Sequence, residues 1–199
     1  MYLKTQSLTK AKIKLNNTKS EVFIPQYGFG TASDPDQLEE TKAALKAAVK
    51  AGVRHIDTAR FYGNGAIEYA LGEAIQELIK EGVVTREELF ITTKVWPNYW
   101  NRAADSLNIS LKALQVDYVD LLLQHWPLCF PEVYNKETGK LIGKPHDDDG
   151  NPMYEKDGDY LVTFQQLSRI LDDPINGKKV KSIGVSNYDI LKLERVYAD

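Results

Sequence analysis

Apolar and polar positions change rhythm several times along the chain, and each change marks an element. Near the N-terminus AKIKL alternates as a short strand, NNTKSE carries turn chemistry, and VFIPQ can return as the antiparallel partner, which predicts a hairpin. From Asp36 to Ala51 the period lengthens. Leu38, Leu45, Ala48 and Val49 fall on one helical face, with Asp34 or Asp36 placed to cap the start and Gly52 to end it. VRHIDTA then reads as a strand. AIEYALGEAIQELIK follows as a helix whose Ile67, Leu71, Ala74, Ile75 and Leu78 share one face, and Gly82 stands just past its end for a left-handed cap. ELFITTKVW is a strand closed by Pro97, Ala103 to Leu114 a helix, and YVDLLLQH a strand. Much later VTFQQLSRIL reads as a helix, KVKSIGVSN as a strand and DILKLERVY as the start of a further helix.

Strands alternating with helices predict parallel strands joined by crossover helices. Two architectures fit this α/β pattern, an open doubly wound sheet and a closed barrel. Residues 127–160 interrupt it with a long stretch rich in Pro, Gly and Asp that has no sustained period. Such a connection is either a lid or binding loop or a disordered insertion. Neither an internal repeat nor a break in composition divides the chain, so residues 1–199 read as one domain.

Composition narrows the class. With 199 residues, 43% hydrophobic and 27% charged, and a formal charge of -3, the chain can bury a core and has no electrostatic reason to seek nucleic acid or a membrane. The single cysteine, Cys129, excludes an intramolecular disulfide framework. The N-terminus lacks the apolar core of a signal peptide, and no apolar run is long enough to span a bilayer, so the cytoplasm is the expected location. The three histidines, His55, His125 and His146, form no close pair, and no metal site is expected. A metal-dependent barrel hydrolase therefore ranks last among the readings.

The candidate chemistry lies at strand ends. VRHID finishes at Asp57, LFITTK at Lys94 and YVDLLLQH at His125, and in a parallel sheet these ends share the edge where such folds build their ligand sites. Tyr62, in the loop TARFYGNG, can join them. Taken singly each residue has an ordinary structural role: a turn-capping Asp, a solvated Lys, a hydrogen-bonded His, a packed Tyr. Together they form a workable set. Burying Lys94 and Asp57 unpaired is costly, which makes them partners. An ammonium beside a phenol oxygen favours the phenolate, so Lys94 can ready Tyr62 to pass a proton to a developing alkoxide while His125 orients the carbonyl oxygen. No nucleophile is placed for covalent catalysis, and a hydride has to come from a cofactor.

GFGT, HIDTARFYGN, ITTKVW, LLLQHWP and IGVSNY resemble, in order and at compatible spacing, the signature segments of the aldo-keto reductases, from about Ile24 to the C-terminus. Longer phrases such as ETKAALKAAVKAGVRHIDTA, YVDLLLQHWPLCF and DGDYLVTF look most like the fungal D-arabinose dehydrogenases of that family. The resemblance implies a (β/α)8 TIM barrel and a cofactor, NADP with NAD as the alternative. It also implies interconversion of carbonyls (aldehydes, ketones, aldoses such as D-arabinose) with alcohols or lactones. Its catalytic quartet maps onto Asp57, Tyr62, Lys94 and His125, with Tyr62 the proton donor in reduction and, as phenolate, the base in oxidation. Cofactor contacts are implied for Gly30, Thr31, Ala32, Asp57, Ser186 and Asn187, and a substrate pocket lined by Phe61, Trp96, His125 and Trp126.

Two departures accompany the resemblance. Ala32 stands where many relatives carry an aromatic residue, which widens the pocket toward polar sugars. Family members also continue far beyond the position of Asp199. Counting YGFGT as the first barrel strand, five of eight βα units are expected, an N-terminal fragment of the barrel whose open edges invite association. The competing class is a catalytically inactive remnant of the same fold with a binding or regulatory role, which loss of cofactor affinity despite intact folding would favour.

Overall fold

The computed structural model describes residues 11–16 and 20–198. An antiparallel hairpin comes first, β1 (Lys12–Lys14) against β2 (Phe23–Pro25), with Ile13 opposite Ile24. Part of the expected turn NNTKSE, residues 17–19, lies outside the described residues. Then β3 (Gly28–Gly30), β4 (His55–Asp57), β5 (Phe90–Val95), β6 (Leu121–Gln124) and β7 (Ile183–Val185) lie side by side, all parallel and in chain order. Helices α1 (Leu38–Lys50), α2 (Ile67–Lys80), α3 (Ala103–Leu114) and α4 (Tyr160–Asp172) connect successive strands, and α5 (Ile190–Ala198) follows β7.

Strand order separates the two architectures that the periodicity allowed. A doubly wound sheet reverses its order at a switch point and sends helices to both faces. Here the order never reverses among the described strands, so right-handed crossovers put every connecting helix on one face. Accordingly α1 packs on α2, α2 on α3 and α3 on α4, as in the wall of a (β/α) barrel.

The parallel register fixes which side chains share a face. Ile56, Ile91, Val95, Leu122 and Ile183 point toward the helices and join Leu45, Ile67, Leu71, Ile75, Leu78, Leu107, Leu114 and Leu167 in one buried cluster. Each fully buried Leu or Ile contributes about 1.5–3 kcal/mol, so this layer is the main stabiliser. The opposite face carries His55, Asp57, Thr92, Lys94, Leu121 and Leu123. Gly28 makes room on it, since a β-carbon there would meet the His55 ring at 2.6 Å.

Two boundaries differ from expectation. Helix α1 starts at Leu38, and neither Asp34 nor Asp36 caps it: Gln37 is the N-cap without a side-chain capping bond, its carbonyl taken by the Thr41 N–H and hydroxyl. Strand β6 starts at Leu121 because the Asp120 carboxylate accepts the Ile91 N–H, a ladder place that a backbone carbonyl would otherwise fill. Residues 127–159 form no strand or helix, and the bridges within them are local, Tyr134 with Leu141 and His146 with Pro152. Among the described residues no helix is long and apolar enough to cross a membrane.

Candidate active site

The C-terminal edge of the sheet gathers Asp57 from the end of β4, Lys94 from β5 and His125 from the position just after β6. Lys94 is 4% exposed. Its ammonium donates to a carboxylate oxygen of Asp57, to the Thr58 carbonyl at 2.8 Å and to the Tyr62 hydroxyl at 3.1 Å. An ammonium has three donors, and all three are used, which removes the penalty of an unpaired buried charge.

Tyr62 is brought over the lysine by a sharp turn. Gly63 (φ 54°), Asn64 (φ 54°) and Gly65 (φ 89°) are left-handed in succession. A β-carbon at Gly63 would lie 2.7 Å from Ile67, so both the backbone angle and the space favour glycine.

His125 is 6% exposed and stands edge-on to the rings of Tyr62 (centroids 5.6 Å) and Trp96 (4.9 Å). Burial, and after it the Lys94 charge, push the imidazole down to about 3, so it is neutral at physiological pH. Its Nδ1 is buried without a partner, which leaves Nε2 as the ring nitrogen that reaches the cleft. Asn187, itself left-handed at φ 62°, donates its amide to the His125 carbonyl at 2.8 Å and to the Ser186 hydroxyl at 3.1 Å, tying the ends of β6 and β7 together.

Asp57, Tyr62, Lys94, Trp96, His125, Trp126, Ser186 and Asn187 line one open cleft of about 540 Å³. Phe61 stacks on Trp96 with centroids 5.4 Å apart and lines an adjoining hollow with Ala32 and Tyr62. Gly30 and Thr31 line a neighbouring hollow with Ala32 rather than this cleft. Thr31 is buried and turns its hydroxyl onto the Asp57 carbonyl at 2.9 Å, where its own N–H also donates. A further hollow, lined by Lys12, Phe23, Arg54, Asp120 and Lys181, lies where the strands begin, the edge on which parallel sheets do not build active sites.

The profile of the Aldo/keto reductase family matches residues 26–199. The chain belongs to this family. It is 36% identical over 183 residues to the NAD(P)H-dependent 6'-deoxychalcone synthase of Glycine max, covering 90% of this chain and 52% of that protein. It is 36% identical over 188 residues to an aldose reductase of Encephalitozoon cuniculi (strain GB-M1), covering 92% and 54%. Among solved structures, the Bombyx mori aldo-keto reductase AKR2E4 in complex with NADP aligns with a TM-score of 0.74 at 32% identity, over 97% of this chain and 55% of that one. The chain thus spans about half the length of the curated relatives it matches. The five parallel strands are the part of the aldo/keto reductase barrel that it carries.

Two contributors to this aldo/keto reductase site escape sequence reasoning. The Thr58 carbonyl is the third acceptor of Lys94, and the Gly143 carbonyl accepts the Trp96 indole N–H at 2.6 Å. Both act through the backbone, which leaves no signature in residue type.

Proposed function

We propose that this chain carries the catalytic face of an NADP-dependent reductase that interconverts aldehydes, ketones and aldoses such as D-arabinose with alcohols or lactones, Tyr62 serving as acid and base. The observation that carries this reading is the single ammonium of Lys94 shared between Asp57 and the Tyr62 hydroxyl. A cation at 3.1 Å stabilises the phenolate left when Tyr62 releases its proton to the substrate oxygen. Asp57 keeps that cation in place. His125, held neutral, has no proton to give as an acid, but with its one N–H on Nε2 it donates a hydrogen bond to the carbonyl oxygen and orients it. The acid is then Tyr62.

The rim of the cleft suits a nicotinamide: Ser186 and Asn187 set a hydroxyl and an amide beside flat apolar surface from Trp96 and Trp126. A cleft of about 540 Å³ also falls within the size range of small-molecule sites. When bound, the dinucleotide supplies or accepts the hydride. The NADP bound in the related Bombyx mori aldo-keto reductase favours NADP over NAD. Ala32, exposed beside Tyr62, leaves width for a polar sugar. The one cysteine, Cys129, is free and buried, which suits a reducing cytoplasm, and burial followed by Asp159 and Glu155 pushes its thiol up to about 12, so it is no nucleophile.

The test is NADPH oxidation with a reactive aldehyde and NADP reduction with D-arabinose, by the chain and by Tyr62→Phe. Turnover by the parent with a loss of about a thousandfold in the variant supports the assignment. Equal turnover by both would sink it.

A further inference from the structure

The connection between β6 and α4 folds back onto the aromatic side of the cleft. The Ile142 N–H donates to the Val133 carbonyl and the Asn135 N–H to the Lys140 carbonyl, each at 2.8 Å, so residues 133–142 form an arm of two paired limbs. Asn98 holds the approach to the first limb and the end of the second. It lies in the short turn Pro97–Tyr99 directly after β5, is 1% exposed, and donates its side-chain amide to the Pro131 carbonyl at 2.9 Å and, more weakly, to the Ile142 carbonyl at 3.4 Å. At the root of the arm the Gly143 carbonyl accepts the Trp96 indole N–H at 2.6 Å. Gly143 is also seated on Phe61: a β-carbon there would lie 2.5 Å from two of its ring carbons. The residue at the root of the arm therefore bonds one ring of the stacked Phe61–Trp96 pair and backs the other.

We propose that Asn98 is a positioning residue that latches this arm, and that Gly143 sets the arm's distance from Phe61, so that the cleft selects carbonyl substrates by their bulk on that side. The selection rests on the reductase reading above; the latch does not. Asn98→Asp keeps the shape, removes both donors and sets a carboxyl group against two carbonyl oxygens. Gly143→Ala leaves the latch intact and pushes Phe61 toward the cleft.

The test is trypsin cleavage after Lys136 and Lys140, both exposed on the arm, together with kcat/KM for a branched aryl aldehyde and for a short linear one. In Asn98→Asp, cleavage at these lysines speeds by about tenfold while cleavage elsewhere is unchanged. The bulky-to-small ratio of kcat/KM rises by about tenfold, carried by KM, and in Gly143→Ala it falls by a similar factor. Unchanged cleavage in Asn98→Asp overturns the latch. Faster cleavage with an unmoved ratio in both variants overturns the selection. If the parent reduces no carbonyl, the reductase reading fails on its own: cleavage then decides the latch, and acrylamide quenching of tryptophan, higher in Asn98→Asp if the wall is released and equal if it is not, decides the wall.

Discussion

Each rim of the sheet buries an ion cluster, and the two differ in what is left over. Where the strands begin, Asp120 is 3% exposed and accepts from Arg86 at 3.0 Å, Lys181 at 2.8 Å and the Ile91 N–H at 2.9 Å. Both cations also lie over the Tyr118 ring, at 3.9 Å and 4.3 Å from its centroid. The Asp120 carboxylate is wholly spent on holding β5, β6 and the approach to β7 in place. Where the strands end, Lys94 is just as fully bonded, but one of its partners is a phenol that still owns a proton and faces an open cleft. The lower carboxylate has its acceptors spent, whereas the upper cluster keeps a proton beside a cleft, which is what the acid and base role proposed for Tyr62 requires.

Substitutions at the two rims break this comparison in opposite ways. The largest effect falls on Lys94→Met, which lowers turnover by about a thousandfold, roughly 4 kcal/mol of activation free energy. It changes stability by only about 1 kcal/mol, because the Asp57 side chain is 34% exposed and can be hydrated. Steady-state kinetics and urea unfolding on the same preparation separate the two quantities. Asp120→Asn is the mirror image, costing about 3 kcal/mol in urea unfolding, with turnover per folded molecule unaltered. That figure sits at the low end for a broken buried pair because the Lys181 side chain is 43% exposed.

The upper rim also carries a pH signature. His125 titrates at about 3 in the folded chain and near 6.5 when unfolded, so between those values only the unfolded chain binds the proton. Its contribution to stability is complete above pH 6.5 and falls by about 1.4 kcal/mol per unit as pH drops toward 3. His55, also held down chiefly by burial, adds to the same acid limb. In His125→Gln the slope of stability against pH is therefore shallower by about 1.4 kcal/mol per unit, measured by urea midpoints from pH 6.5 to 4.5. The smallest effect is Lys181→Met, about 0.5 kcal/mol, since the half-exposed partner of Asp120 is the dispensable one.

Legibility in the sequence followed the physics of each level. Periodicity placed α3 at Ala103–Leu114, where it is found, and drew the buried face of α2, because burial selects one face of a helix. It placed Asp57, Lys94 and His125 at strand ends, and the parallel sheet then brought them to one edge. It misjudged the cap of α1, where Gln37 takes the N-cap position and no aspartate bonds the first turn, and the start of β6, where a side chain replaces a ladder carbonyl. The grip of Asn98 on Pro131 and Ile142 is invisible for the same reason: its acceptors are backbone carbonyls, which every residue owns.

The unbroken strand order from β3 to β7 has a consequence for how such a chain comes into being. During synthesis each new strand emerges to find its hydrogen-bonding neighbour already made, and no strand has to wait for a later one to separate it from the wrong partner. Contacts can close in the order in which they are translated, each strand pairing only after a whole crossover helix has been made, so every closure is non-local. The one pause comes before β7, whose docking on β6 must wait until residues 127–159 and α4 have left the ribosome. The segment that backs the Phe61–Trp96 pair is thus also the segment that sets the tempo of assembly.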